Sequence, residues 1–167
     1  RVMMRRILIT IEYDGGPFHG WQRQANGRTV QQVLEEAAHQ LTGQETLVQA
    51  AGRTDAGVHA SGQAAHLDVP EKFDAERVMA ALNALVCQQP VSVIAAREVP
   101  ADFHARFSAN GIACLQWGCP AGISQLSLTK IDSFFLRLNF WNRTRHDFIG
   151  PLHPSSHFRG RRCHRTL

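Results

Sequence analysis

Thr29-Val30-Gln31-Gln32-Val33-Leu34-Glu35-Glu36-Ala37-Ala38-His39-Gln40-Leu41-Thr42-Gly43 is the stretch on which the fold turns. Val30, Val33, Leu34, Ala37, Ala38 and Leu41 fall at i, i+3, i+4, i+7, i+8 and i+11, one apolar stripe on a 3.6-residue turn. Thr29 and Gln32 have the form of a capping box, hydroxyl and amide covering free N–H groups reciprocally, and Gly43 suits the C-terminal cap. The segment is therefore a helix with one buried side. Upstream, Ile7, Ile9, Ile11 and Tyr13 alternate with Leu8, Thr10 and Glu12, the period-two pattern of a strand with one well-buried face, and Asp14-Gly15-Gly16-Pro17 ends it. Downstream, Thr46–Ala51 and Gln63–Val69 are predicted strands, with Ala65, Leu67 and Val69 facing inward. A second helix starts at Asp74, an N-cap flanked by the staple pair Phe73 and Val78, and buries Val78, Ala81, Leu82 and Leu85. Pro90 breaks it, and Val91–Val99 completes the set.

The order over residues 6–99 is thus β-α-β-β-α-β, an α+β, ferredoxin-like split βαβ unit with an antiparallel sheet and both helices on one face. The chain of 167 residues, 44% hydrophobic and 19% charged, is long enough to bury a core without disulfides. No apolar run approaches the roughly 18 residues of a membrane span. Arg5 and Arg6 lead straight into a short strand, unlike a signal peptide. Cys87, Cys114, Cys119 and Cys163 are too few and too scattered for a disulfide scaffold, so a reducing, cytoplasmic setting is expected.

Charge is unevenly distributed. Residues 1–109 carry 10 Lys/Arg against 12 Asp/Glu, whereas residues 110–167 carry 8 against 2 and no glutamate. Eighteen alanines lie in the first segment and two in the second, which also holds three of the four cysteines. After Ala109 no periodicity is sustained, so this part is expected to be irregular or disordered. Its basic end, Arg159-Gly160-Arg161-Arg162-Cys163-His164-Arg165, suits nucleic acid, although charge alone does not separate that from a sequence never selected to fold. A metal site from Cys114, Cys119, His153, His157, Cys163 and His164 has zinc-like spacing only at His153 and His157, and we expect none.

Two loops are richer in chemistry than turns require. Ala51-Gly52-Arg53-Thr54-Asp55-Ala56-Gly57-Val58-His59-Ala60 lies between predicted strands. A guanidinium beside a carboxylate keeps it ionised, which would make Asp55 a nucleophile or base next to Arg53, oriented by Thr54. The same residues also describe an Asx turn with a surface ion pair. Tyr13-Asp14-Gly15-Gly16-Pro17-Phe18-His19-Gly20-Trp21-Gln22-Arg23-Gln24 interleaves rings, glycines and long polar side chains. Such a loop can stack a base and hold a phosphate through Arg23, or it can plug the end of the core with Phe18 and Trp21.

Taken together these segments resemble the TruA family of tRNA pseudouridine synthases. Residues 13–24 are similar to its N-terminal motif and residues 52–60 to its catalytic motif, residue for residue. Phe103-His104-Ala105-Arg106-Phe107-Ser108-Ala109 is similar to a third family segment. The resemblance runs from about residue 5 to 109. It implies isomerisation of uridine to pseudouridine at positions 38 to 40 of the tRNA anticodon stem-loop, without metal or cofactor, by an enzyme that extrudes the nucleotide first. It also implies Asp55 as the nucleophile, Arg53 as the residue holding Asp55 and the gap left by the base, and Arg23, Arg106, His59 and Trp21 as substrate-binding positions.

The chain then leaves the family pattern. Where the family continues with a strand rich in Arg and Tyr, this one reads Asn110-Gly111-Ile112-Ala113-Cys114-Leu115-Gln116-Trp117, and its single tyrosine is Tyr13. The family's second half, which completes the cleft and the homodimer, is not matched. Residues 1–109 are accordingly expected to be the catalytic half and residues 110–167 a basic tail foreign to the family, from an out-of-frame translation; a nucleotide sequence with no frame restoring the tyrosine strand would contradict this. The alternative function is a catalytically inactive tRNA-binding fragment. An unpaired half would expose sheet, so neither the family homodimer nor turnover is expected of this chain alone.

Overall fold

The structure, a computed structural model, describes residues 3–109 and the short segments 113–116, 130–131, 134–135 and 137–140. The chain begins with β1 (Met4–Tyr13), followed by α1 (Val30–Thr42), β2 (Gln49–Ala50), β3 (His59–Pro70), α2 (Ala75–Leu85) and β4 (Val91–Val99). The sheet order is β4-β1-β3-β2 with every neighbour antiparallel, so β3 is inserted between β1 and β2, as a split βαβ unit requires. Further along are β5 (Ala113–Gln116), β6 (Lys130–Ile131), β7 (Phe134–Phe135) and β8 (Arg137–Phe140). β8 pairs with the start of β3 at His59 and Ala60 and in parallel with β5, while β6 and β7 form a separate pair. The residues of the metal site considered and set aside above, other than Cys114, and the basic terminus lie outside the described residues.

Ile7, Ile9, Ile11 and Tyr13 of β1 are buried as expected, the first three opposite Leu67, Ala65 and Gln63 of β3, but Leu8 and Thr10 on the other face are buried too, so β1 is covered on both sides over Ile7–Ile11. The stripe of α1 meets them, with Val30, Val33, Leu34, Ala37 and Ala38 all in one core. Thr29 caps α1 by accepting from the Gln32 N–H, and Gly43 closes it in the left-handed conformation. Only half of the expected capping box forms, because the Gln32 amide donates to Glu36 rather than turning back.

Two boundaries and one buried face differ from the sequence reading. The strand expected over Thr46–Ala51 shrinks to two residues, since the Val48 N–H is taken by the carboxylate of Glu35 and Thr46 joins Thr42 in a hydroxyl cluster. β3 is longer than expected and reaches back to His59. In α2 the buried line runs Val78, Leu82, Val86, leaving Leu85 41% exposed, because Asn83 is pulled onto the main chain of β4, donating to the Val93 carbonyl and accepting from its N–H. Cys87 is disulfide-bonded, whereas the number and scatter of the cysteines led us to expect no disulfide scaffold.

Candidate active site

The two chemically rich loops leave adjacent strands, β1 and β3, at the same end of the sheet, and main-chain bonds join them. The Trp21 N–H donates to the Thr54 carbonyl at 3.0 Å and the Gly57 N–H to the Phe18 carbonyl at 3.2 Å. Their contact is too close for side chains at two positions. A Cβ on Gly15 would lie 1.9 Å from the Val58 oxygen, and one on Gly20, whose φ is +83°, would lie 2.5 Å from the Thr54 oxygen. Loop 13–24 is tied in turn to α1, since the Gln31 N–H donates to the Trp21 carbonyl and the His19 N–H to the Arg28 carbonyl.

Side chains lock the junction from inside. The Tyr13 hydroxyl and Thr54 Oγ1 are 2.8 Å apart and buried, so Thr54 points into the protein and does not orient Asp55. Burial of Tyr13 pushes its phenol up to about 12, the Thr54 hydrogen bond opposing this in part. Gln63, fully buried on β3, donates to the Gly52 carbonyl and so fixes the base of the 52–58 turn. That turn closes with the Val58 N–H on the Asp55 carbonyl at 3.2 Å.

Asp55 and Arg53 stand on this clamped turn with both side chains exposed. Among the described residues no ion pair joins them, so the expected guanidinium–carboxylate contact is absent from this conformation; on the turn the two side chains are free to face a bound molecule. His59 is half-buried, with Nδ1 3.0 Å from Asp14 Oδ1 and 3.2 Å from the Gly15 N. Its geometry clasps the two loops. Trp21 is 3% exposed, with its ring 6.1 Å from that of Tyr13 and tilted to it, so of the two readings of this loop Trp21 fits the plug at the end of the core rather than a stacking surface. Arg23 remains 60% exposed and is anchored at 3.2 Å by Glu35, a buried carboxylate that also accepts from Gln31 and the Val48 N–H.

Arg106 is exposed on the third segment, which docks on β3 at His66 rather than beside the turn at His59. At about 3.3 Å per strand residue, those positions are roughly 20 Å apart along β3. No group of three or more metal-ligating side chains occurs among the described residues, and none of the helices described is long and apolar enough to cross a membrane.

Comparison with known proteins meets this geometry at the same residues. A model of the tRNA pseudouridine synthase family matches residues 9–108, which hold both loops, β2 to β4, the end of β1 and the third segment up to Ser108. The chain belongs to the tRNA pseudouridine synthase family. The tRNA pseudouridine synthase A of Rhodospirillum rubrum is 59% identical over 107 residues, 64% of this chain and 38% of the relative. That of Paramagnetospirillum magneticum is 54% identical over 112 residues, 67% of this chain and 44% of its own length. The Zymomonas mobilis protein is 48% identical over 108 residues, 65% and 44% of the two chains. The chain thus spans about two fifths of the length of these tRNA pseudouridine synthases. Glu35, Gln63 and His66, which brace the family's loops here, escaped the sequence reading. The only signal for Gln63 and His66 is a polar side chain inside a run of alanines and leucine on a central strand.

Proposed function

We propose that residues 1–109 are the catalytic half of an enzyme that isomerises uridine to pseudouridine at positions 38 to 40 of the tRNA anticodon stem-loop, with Asp55 as nucleophile. The observation that carries this is the exposed Asp55 on a turn whose neighbours on both sides are fixed to the 13–24 loop by main-chain and buried side-chain bonds. Such rigidity suits a carboxylate that must meet one sugar carbon of an extruded nucleotide. The N1–C1′ bond breaks with Asp55 either bonded to the nucleotide or stabilising the sugar. The uracil turns, C5 bonds to C1′, the C5 proton passes to solvent and N1 takes up a proton from solvent, so the product is an isomer of the substrate. Arg53 faces the place vacated by the base, while Arg23 and Arg106 supply phosphate contacts. His59 acts by holding the turn. The reaction calls for no metal or cofactor and is placed in the cytoplasm, where tRNA is found.

A second reading is favoured by one specific observation: the single tyrosine, Tyr13, is 3% exposed, so it does not stand in for the tyrosine-rich strand that the family resemblance leads one to expect after residue 109. On that basis the chain binds the stem-loop alone but isomerises it only when the family's second half is supplied. The test is nucleoside analysis of an anticodon stem-loop incubated with this chain, with and without the C-terminal half of the Rhodospirillum rubrum relative. Pseudouridine formed only with both, and lost in Asp55→Ala, is expected. No pseudouridine in any mixture, under conditions where the full-length relative works, would overturn the proposal.

A further inference from the structure

The segment 103–109 is held by two imidazoles. His66, 1% exposed on β3, accepts the Ala105 N–H on Nδ1 at 3.1 Å. His104 Nε2 lies 2.9 Å from Gln49 Oε1, and His104 Nδ1 accepts the Arg106 N–H at 3.2 Å. An amide oxygen only accepts, so His104 carries its proton on Nε2; an N–H on Nδ1 likewise obliges His66 to be neutral with its proton on Nε2. Two consecutive main-chain N–H groups, those of Ala105 and Arg106, are therefore each fixed by an imidazole lone pair, and the two rings lie 4.7 Å apart.

The neighbours reinforce this arrangement. Arg6 is gripped by Asp68 through two bonds of 2.7 and 2.8 Å and donates to the Phe103 carbonyl at 2.7 Å. The Ser108 N–H returns to the His104 carbonyl at 2.8 Å. His104 then supports the Phe107 ring at 4.5 Å, and the Arg106 guanidinium lies 6.0 Å from that ring, which is 80% exposed. The chain from β3 to the Arg106 head group is continuous.

We propose that His66, with His104, is a positioning residue for Arg106, setting the place at which its guanidinium meets an RNA phosphate. This rests on the RNA-directed reading above. Burial, with Arg6 and His104 nearby, pushes the His66 imidazole down to about 4, Asp68 opposing, so the acceptor form persists at neutral pH.

The experiment measures binding of an anticodon stem-loop RNA to the full chain across a salt series, for the unsubstituted protein, His66→Leu, His66→Asn, Arg106→Ala and the His66→Leu/Arg106→Ala double variant. Asn places its Oδ1 where the Nδ1 acceptor was; Leu offers none. Arg106→Ala lowers the slope of log K on log salt by about one phosphate contact. His66→Leu is expected to lower it equally, the double variant no further, and His66→Asn to restore it. Imidazole nitrogen spectra should show the Nε2–H form of His66, and Ala105 amide exchange should accelerate in His66→Leu. An unchanged slope in His66→Leu beside a lowered one in Arg106→Ala, or additive losses in the double variant, would overturn the proposal. If the unsubstituted chain binds no RNA, the functional reading fails instead, and exchange and tautomer still decide whether His66 holds the segment.

Discussion

Tyr13 joins the end of β1 to the turn that carries Asp55, and it is the chain's single tyrosine, so its titration can be followed without interference. With the phenol pushed up to about 12, the folded protein holds a proton that the unfolded chain releases near 10. Stability is therefore complete below pH 10 and falls as pH rises toward 12. Ultraviolet difference titration should give a midpoint near 12 or a transition coincident with unfolding, whereas one near 10 would show an exposed ring. Tyr13→Phe strands the buried Thr54 hydroxyl and should cost about 1–2 kcal/mol in urea denaturation. Gly15→Ala should cost more, about 2–3 kcal/mol, because its Cβ would lie 1.9 Å from the Val58 oxygen and must force the two loops apart. A Gly15→Ala variant as stable as the parent would mean that the loops are not in contact.

At the scale of elements, β3 is the common support: Ile11 faces Gln63, Ile9 faces Ala65 and Ile7 faces Leu67 across β1, while His66 points to the other face and receives segment 103–109. The depressed His66 imidazole has a consequence for folding. The unfolded chain takes up a proton near 6.5 that the folded form refuses until about 4. Stability is thus complete above pH 6.5 and declines as pH falls toward 4, by about 3 kcal/mol at 1.36 kcal/mol per unit. His66→Asn should flatten this part of the stability–pH curve measured by denaturant titration; an identical slope in both proteins would remove His66 as its source. The buried Glu35 joins α1 to β2 in the same way, and Glu35→Leu, leaving the Val48 N–H and Arg23 without their acceptor, should cost about 1–3 kcal/mol by thermal or urea unfolding. Period and caps made α1 and β1 legible from sequence, since both are local properties of residues 7–13 and 29–43. The short β2 was not legible: what ends it is Glu35, thirteen residues earlier, taking a main-chain N–H. Leu85 was misplaced for a similar reason, because Asn83 binding to β4 is a tertiary contact that rotates the helix.

For the whole molecule, catalytic position and catalytic competence are separable. Asp55, Arg53, Arg23, His59 and Arg106 were named from motif residues, and the structure puts the first four around one pair of joined loops and the fifth along β3. What no motif displays is the bracing beneath them, carried by polar side chains buried among apolar ones. The chain covers about two fifths of the length of its relatives, and its lone tyrosine is committed to the core. The central claim is that an intact Asp55 turn awaits a complementary half. It is tested most directly by tritium release from C5-labelled uridine in an anticodon stem-loop, with this chain alone, with the family's second half added, and with Asp55→Ala in each case. The account predicts release only in the mixture that contains both Asp55 and the second half. Equal release from the Asp55→Ala mixture, or none from a mixture whose components bind the RNA together, would contradict it.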